Sequence, residues 1–172
     1  MKTVLETERL ILREMSRDDL DFVARMLADP EVMRFYPKAL TQEEAQAWID
    51  RQVDRYARHG HGLWLAIDRD SAAPIGQVGL LTQEVEGTLL PEIGYLLHRP
   101  FWHRGFATEA ALAIRDYAFT VLGKPKVFSL IRPDNKPSQA VARRLGMSPE
   151  REVLFRGLQH VLFSVSHEPS TH

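Results

Sequence analysis

Five consecutive residues, Arg104-Gly105-Phe106-Ala107-Thr108, form the stretch of this 172-residue chain best suited to hold a polyanion. They stand between an apolar run, Glu92-Ile93-Gly94-Tyr95-Leu96-Leu97, and a segment in which Ala110, Ala111, Ile114, Tyr117, Ala118, Val121 and Leu122 recur at helical spacing. A strand is therefore expected to pass through a basic, aromatic turn into a helix. The first N–H groups of a helix lack intrahelical partners, and the helix dipole adds partial positive charge there. Small residues at Gly105 and Ala107 let that backbone come close to a ligand, and Arg99, His103 and Arg104 place side-chain charge beside it. The expected ligand group is a phosphate or pyrophosphate, met by backbone amides from His103 to Thr108. A lone Gly-x-Ala does not establish this, because small residues at strand-to-helix turns also serve packing. Neither Gly-x-x-x-x-Gly-Lys-Ser/Thr nor Gly-x-Gly-x-x-Gly occurs, so a P-loop and a dinucleotide fold are unsupported.

A second pair is Asn135 and Ser138, at the start of a helical segment carrying Val141, Ala142 and Leu145 and closed by Gly146. Taken alone, Asn is a favoured N-cap and Ser favours the first turn, so local hydrogen bonding accounts for both. Glu92 opens the apolar run and reads equally as an exposed strand-end carboxylate or as a general base. Glu109, in a first helical turn, already complements the dipole.

The elements that position these residues follow from periodicity. Arg9 to Arg13 reads as a first strand, and Ser16 with Asp19 as a capping box before a helix with Leu20, Val23, Ala24 and Leu27 on one face. Asp29-Pro30 ends it. Thr41 with Glu44 repeats the capping pattern ahead of Ala45, Trp48, Ile49, Val53 and Tyr56. Strands are expected at Leu63 to Ile67, Ile75 to Leu81 and Glu92 to Leu97, with Thr82 to Leu90 as a polar connection. Gly76 and Gly79 suggest a bulge or the close approach of another element. After the central helix come a strand at Val127 to Ile131, the Asn135 helix, and strands at Glu152 to Phe155 and Val161 to Val165 joined through Gly157. His167 to His172 is a polar tail. His59-Gly60-His61-Gly62 reads as a solvated turn rather than a metal site, lacking the Cys or carboxylates to complete a ligand set.

With 44% hydrophobic and 26% charged residues, the composition is that of a water-soluble globular chain forming one domain over 1–172. The absence of cysteine excludes disulfides, thiolate zinc sites and a cysteine nucleophile. A net charge of −1 argues against nucleic acid as partner. No 18-residue apolar run or signal-peptide pattern is present, so a cytoplasmic protein without membrane contact is expected.

Trp102-x-x-Gly105-x-Ala107-Thr108-Glu109-Ala110 after an Ile-Gly-Tyr strand resembles the acetyl-CoA motif of the GNAT N-acetyltransferase superfamily, in particular the branch containing the ribosomal-protein alanine N-acetyltransferases. The wide consensus has Gln or Arg where this chain has Trp102, a departure usual for that branch. The element order matches over nearly the whole chain. The resemblance implies an α+β fold, with a mixed, mostly antiparallel seven-stranded sheet flanked by about four helices. It implies acetyl-CoA as co-substrate, no metal, an amine acceptor and a possible homodimer. Carried onto this sequence, Leu97 and the 103–108 turn hold the cofactor, Asn135 bonds the pantetheine arm, and Ser138 lies near the thioester sulfur as candidate proton donor. Many members place a Tyr a few residues later, but Val141, Ala142, Arg143 and Arg144 offer no phenol, which leaves Ser138, water or no acid. Glu92 matches the carboxylate that the alanine-acetylating relatives use as base. The two N-terminal helices and their loop line the acceptor groove, making Phe35, Tyr36 and Trp48 candidate substrate contacts as well as candidate core.

The chemistry then expected is attack of a neutral amine on the thioester carbonyl. An α-amine, with pKa roughly 7.7–8.0, needs less help than lysine at about 10.4. The oxyanion needs an aimed N–H, which the strand offers between Tyr95 and Leu97 if its neighbour splays away. An N-terminal α-amine is the expected acceptor, with a small-molecule amine as alternative. A catalytically silent acyl-CoA sensor, and an interaction module using Phe101 and Trp102, are the readings from other classes.

Overall fold

The computed structural model describes residues 2–168; Met1 and residues 169–172, the end of the polar tail, lie outside that range. The strands are β1 (Thr3–Glu6), β2 (Leu10–Arg13), β3 (Leu63–Asp68), β4 (Pro74–Val85), β5 (Thr88–Leu97), β6 (Lys126–Ile131), β7 (Ser148–Phe155) and β8 (Leu158–Ser166). The helices are α1 (Leu20–Leu27), α2 (Gln42–His59), α3 (Phe106–Thr120) and α4 (Lys136–Arg144), with single 3-10 turns at Arg17–Asp19 and Arg99–Phe101. All eight strands form one sheet in the order β1-β2-β3-β4-β5-β6-β8-β7. Every neighbouring pair is antiparallel except β5 and β6.

The expected α+β architecture and its four helices are present, with one strand more than the seven expected. The addition is β1, a short edge strand whose residues are exposed or half-buried. A second correction concerns 82–90, expected as a loop. There β4 and β5 continue as a ladder from Gly76↔Leu97 to Val85↔Thr88, turning at Glu86-Gly87. Polar residues alternate with buried Val85 and Gln83 along this arm, so its inward face is short of apolar residues and masks the period-two pattern. Both expected capping boxes form, Ser16 with Asp19 and Thr41 with Glu44.

Alternation places apolar residues on both faces of the sheet. Trp64, Ala66, Val78, Leu80 and Ile93 pack with Ala110, Ile114, Val141 and Ala142 of α3 and α4. Leu63, Leu65 and Leu81 pack instead with Val23, Leu27, Ala45 and Ile49 of α1 and α2. Gly79 is a point of close backbone approach, since a Cβ there would lie 2.0 Å from the Gly62 carbonyl oxygen. That contact also corrects the reading of 59–62 as solvated: His61 is 4% exposed, and its Nδ1 lies 2.7 Å from the Leu80 carbonyl oxygen.

Candidate active site between strands five and six

The parallel pairing of β5 with β6 is limited to one register position, Glu92 opposite Phe128. Side chains close the ladder there. The Glu92 carboxylate accepts the Leu130 N–H at 3.1 Å and the Gln83 side-chain amide at 3.1 Å. The Ser129 hydroxyl donates to the Ile93 carbonyl at 2.8 Å. Beyond this point β5 runs on to Leu97 without a register partner on its β6 side, so the edge from Tyr95 to Leu97 is where a ligand carbonyl would meet backbone N–H groups.

Glu92 is therefore not an exposed strand-end residue. It sits in mid-strand, four residues after Thr88, and is 8% exposed. Burial pushes its pKa up, against the opposing effects of the two hydrogen bonds and of Arg156 and Arg55. A carboxylate whose ionised form is penalised in this way is a stronger base than one in water.

Tyr95, on the opposite face of β5 from Glu92, supplies a phenol beside Ser138 that the sequence did not reveal. Its hydroxyl donates to the Ser138 carbonyl at 2.7 Å and accepts from the Ser138 hydroxyl at 3.1 Å. The residues that follow Ser138 lie on α4, whereas the phenol comes from the strand across the gap. Burial pushes the Tyr95 pKa above its ordinary value of 10.0, so the group remains a protonated donor. Asn135 caps α4, its Oδ1 accepting from the Ser138 N–H at 3.2 Å. Its Nδ2 has no protein partner among the described residues, which leaves it available to a ligand amide.

Past the C-terminal end of β5 lies the turn expected to hold an anion. Gly105, the N-cap of α3, has φ of 78°, the left-handed region that glycine adopts without strain. No side chain caps that end, so the N–H groups of Phe106, Ala107 and Thr108 are left for a ligand. This open end of a 15-residue helix suits the pyrophosphate of acetyl-CoA. The Phe106 side chain is buried, so only its backbone serves the cradle. His103 is exposed and has φ of 62°. The Arg104 guanidinium lies 5.1 Å from the Phe106 ring centroid. Arg99 does not join them; it pairs with Asp29.

Trp102 is half-buried, and its indole N–H donates to the Leu97 carbonyl at 2.8 Å, tying the turn to the end of β5. Phe101 and Trp102 are half-buried against core clusters, which reduces the surface an interaction module would use. A buttress that sequence spacing did not reveal lies behind the cradle. Arg9 donates to the Arg104 carbonyl at 2.9 Å and, through Nε, to Glu109 at 2.7 Å. Glu109 also accepts from the Thr7 hydroxyl and the Arg9 N–H. These contacts occupy Glu109 and leave Glu92 as the candidate base.

A cavity of about 410 Å³ brings Glu92, Tyr95, Asn135 and Ser138 together with Phe35, Tyr36 and Trp48. Tyr36 is 41% exposed and stacks edge-on against Trp48, with centroids 6.3 Å apart. The Trp48 indole N–H donates to Gln77 at 3.0 Å. The cavity walls do not include Leu97 or the 103–108 turn, which lie beyond it along β5 and the following turn.

A mixed sheet that opens at its parallel pair, with an uncapped helix N-terminus at one end of the opening, is an arrangement consistent with the GNAT resemblance of the sequence. Residues 9–148 match the family described as the acetyltransferase (GNAT) domain, and the chain belongs to that family. The chain is 35% identical to the uncharacterized protein YkkB of Bacillus subtilis over 85% of its length and 86% of that protein. It is 27% identical to the spermidine N(1)-acetyltransferase of Escherichia coli K12 over 83% of its length and 75% of that enzyme. The ribosomal-protein-S5-alanine acetyltransferase of Vibrio fischeri superposes with a TM-score of 0.73 at 19% identity, covering 96% of this chain and 97% of that one. That last likeness is one of fold. Among the described residues no helix is long and apolar enough to cross a membrane.

Proposed function

We propose that this acetyltransferase moves the acetyl group of acetyl-CoA to the α-amine of a protein or peptide N-terminus, by direct attack in a ternary complex. The observation that carries the reading is the buried Glu92 on the wall of the cavity that also holds Ser138 and Asn135. One carboxylate with a raised pKa, relaying through water, is matched to an amine of pKa near 8 and poorly matched to one above 10. The resemblance to the alanine-acetylating branch points the same way.

In this mechanism Glu92 takes the proton of the attacking amine, by way of water. Backbone N–H groups of the free β5 edge, between Tyr95 and Leu97, face the developing oxyanion. The C–N bond forms first to give a tetrahedral oxyanion, whose collapse breaks the C–S bond; the departing thiolate takes the proton of the Ser138 hydroxyl, which turns from the Tyr95 oxygen and is reprotonated from water. The cradle amides of residues 103–108 and Asn135 hold the cofactor in register. A thiol with pKa about 8.5 leaves well, so positioning contributes more than the acid.

Two peptides of one sequence test this, one with a blocked N-terminus and a free lysine, the other with a free N-terminus and a blocked lysine. CoA release with only the second is expected. Acetylation of only the first overturns the α-amine assignment. The sequence likeness to a spermidine acetyltransferase makes a polyamine the natural third acceptor in the same assay.

A further inference from the structure

The wall of the acceptor cavity is strongly cationic. Arg51 and Arg55 reach it from α2, Arg132 from the end of β6, and Arg156 from the β7–β8 turn. None of these four guanidiniums forms an ion pair among the described residues. Elsewhere some arginines are paired, as Arg13 with Asp19 and Arg99 with Asp29, and the four on this wall are set apart by facing one cavity together. Arg51 lies over the Trp48 ring at 5.8 Å and Arg156 over the Phe155 ring at 5.1 Å. Arg55 donates to the neutral Gln52 side chain at 3.2 Å. The Arg132 Nε is buried and has no hydrogen-bond partner. A further lining cation, Lys38, is neutralised by Glu44 at 2.6 Å. The acid on the wall is Glu92, whose oxygens are already engaged by Gln83 and Leu130.

Like charges gathered around one cavity repel unless an anion joins them. Burial first, and then the charges of Arg156 and Arg51, push the Arg55 pKa down, against the opposing charges of Glu92 and Asp54. We propose that the acceptor amine belongs to a molecule carrying an anionic group close to the amine, an N-terminal peptide with an acidic residue in the second or third position being the form the cavity takes. The inference rests on the α-amine reading given above. The same cations disfavour the ammonium form of the amine, which supplies neutral nucleophile, and they repel a polycation.

The test uses peptides with a free N-terminus that differ only at the second and third residues, Glu-Glu, Gln-Gln or Arg-Arg, together with free glutamate and spermidine. The acidic peptide should exceed the neutral one in kcat/KM by about ten- to a hundredfold, the range of one or two charge-assisted hydrogen bonds. The advantage should shrink with added salt. Arg55→Gln and Arg156→Gln should each reduce it while leaving the calorimetric Kd for acetyl-CoA unchanged. Equal rates across the three peptides would overturn the anion requirement and leave the α-amine reading standing. Faster acetylation of the Arg-Arg peptide or of spermidine would overturn it as well. Acetylation of free glutamate but of no peptide would uphold the anion requirement and reject the peptide. Loss of acetyl-CoA affinity in both variants would show that the arginines serve the cofactor, and would overturn the inference.

Discussion

Replacing Tyr95 with Phe removes one oxygen and keeps the ring that packs against the α3 and α4 side of the core. The lost oxygen makes two hydrogen bonds with Ser138, at 2.7 and 3.1 Å. A neutral hydrogen bond contributes about 0.5–1.5 kcal/mol net. Because Ser138 is half-buried at the cavity wall, water can replace part of the loss, and the expected destabilisation is about 1–2 kcal/mol. For a chain of this length, that lowers Tm by about 2–8 °C. The effect on catalysis should be disproportionate. If phenol and hydroxyl act as one proton-donating unit, Tyr95→Phe and Ser138→Ala each lower kcat about tenfold, the low end for a general acid because the thiolate leaves well. The double variant should then be no slower than the slower single one. Thermal melts and single-turnover CoA release on all four proteins measure both quantities. Multiplicative losses would refute the shared unit. Unchanged kcat in both single variants would reduce the pair to a strut between β5 and α4.

Three further outcomes are expected. Gly105→Val forces a β-branched residue into φ of 78° and sets its Cβ 3.4 Å from the Arg9 guanidinium that buttresses the turn, so calorimetry should show acetyl-CoA affinity reduced tenfold or more, about 1.4 kcal/mol, in a folded protein. Burial raises the Glu109 pKa, but hydrogen bonds from Thr7 and Arg9 outweigh it and leave the group below its ordinary 4.5. The unfolded chain then binds more protons just below pH 4.5, so this contribution to stability is full above that pH and is lost as pH falls through the lowered value. Glu109→Gln should flatten the acid side of a Tm-against-pH curve and weaken acetyl-CoA binding through Arg9. Glu92 has the opposite sign: its raised pKa means the folded state holds its proton longer, and stability is lost as pH rises above the ordinary 4.5. Glu92→Gln should therefore lose less Tm than the parent as pH rises from 4.5 to 7, and equal losses would contradict the burial cost.

Local signals carried much of this structure. Ser16, Asp19, Thr41 and Glu44 announce helix starts because a capping box is complete within four residues. The proposed cradle has the same local character, since Gly105 and the free amides after it belong to one turn. What escaped was long-range. Tyr95 meets Ser138 across 43 residues, and Arg9 meets Glu109 across 100, so no window of sequence contains either pair. Glu92 was placed at a strand start because the polar residues ahead of it look like a loop, yet they pair in the β4–β5 arm. Four arginines from three parts of the chain converge only when α2, the end of β6 and the β7–β8 turn surround one cavity. Phe35, Tyr36 and Trp48 were open between core and substrate contact; they line the cavity, with Phe35 and Trp48 half-buried.

The central claim, that Glu92 draws the proton from an α-amine, meets its most direct test in the pH dependence of kcat/KM for Glu92→Gln, using the peptide with a free N-terminus and blocked lysine. The account predicts a deficit greatest below pH 8, where the amine is mainly ammonium, and partial recovery as pH rises and free amine accumulates. A profile parallel to that of the parent enzyme at every pH would contradict it, and would leave Glu92 as the residue that closes the ladder between β5 and β6.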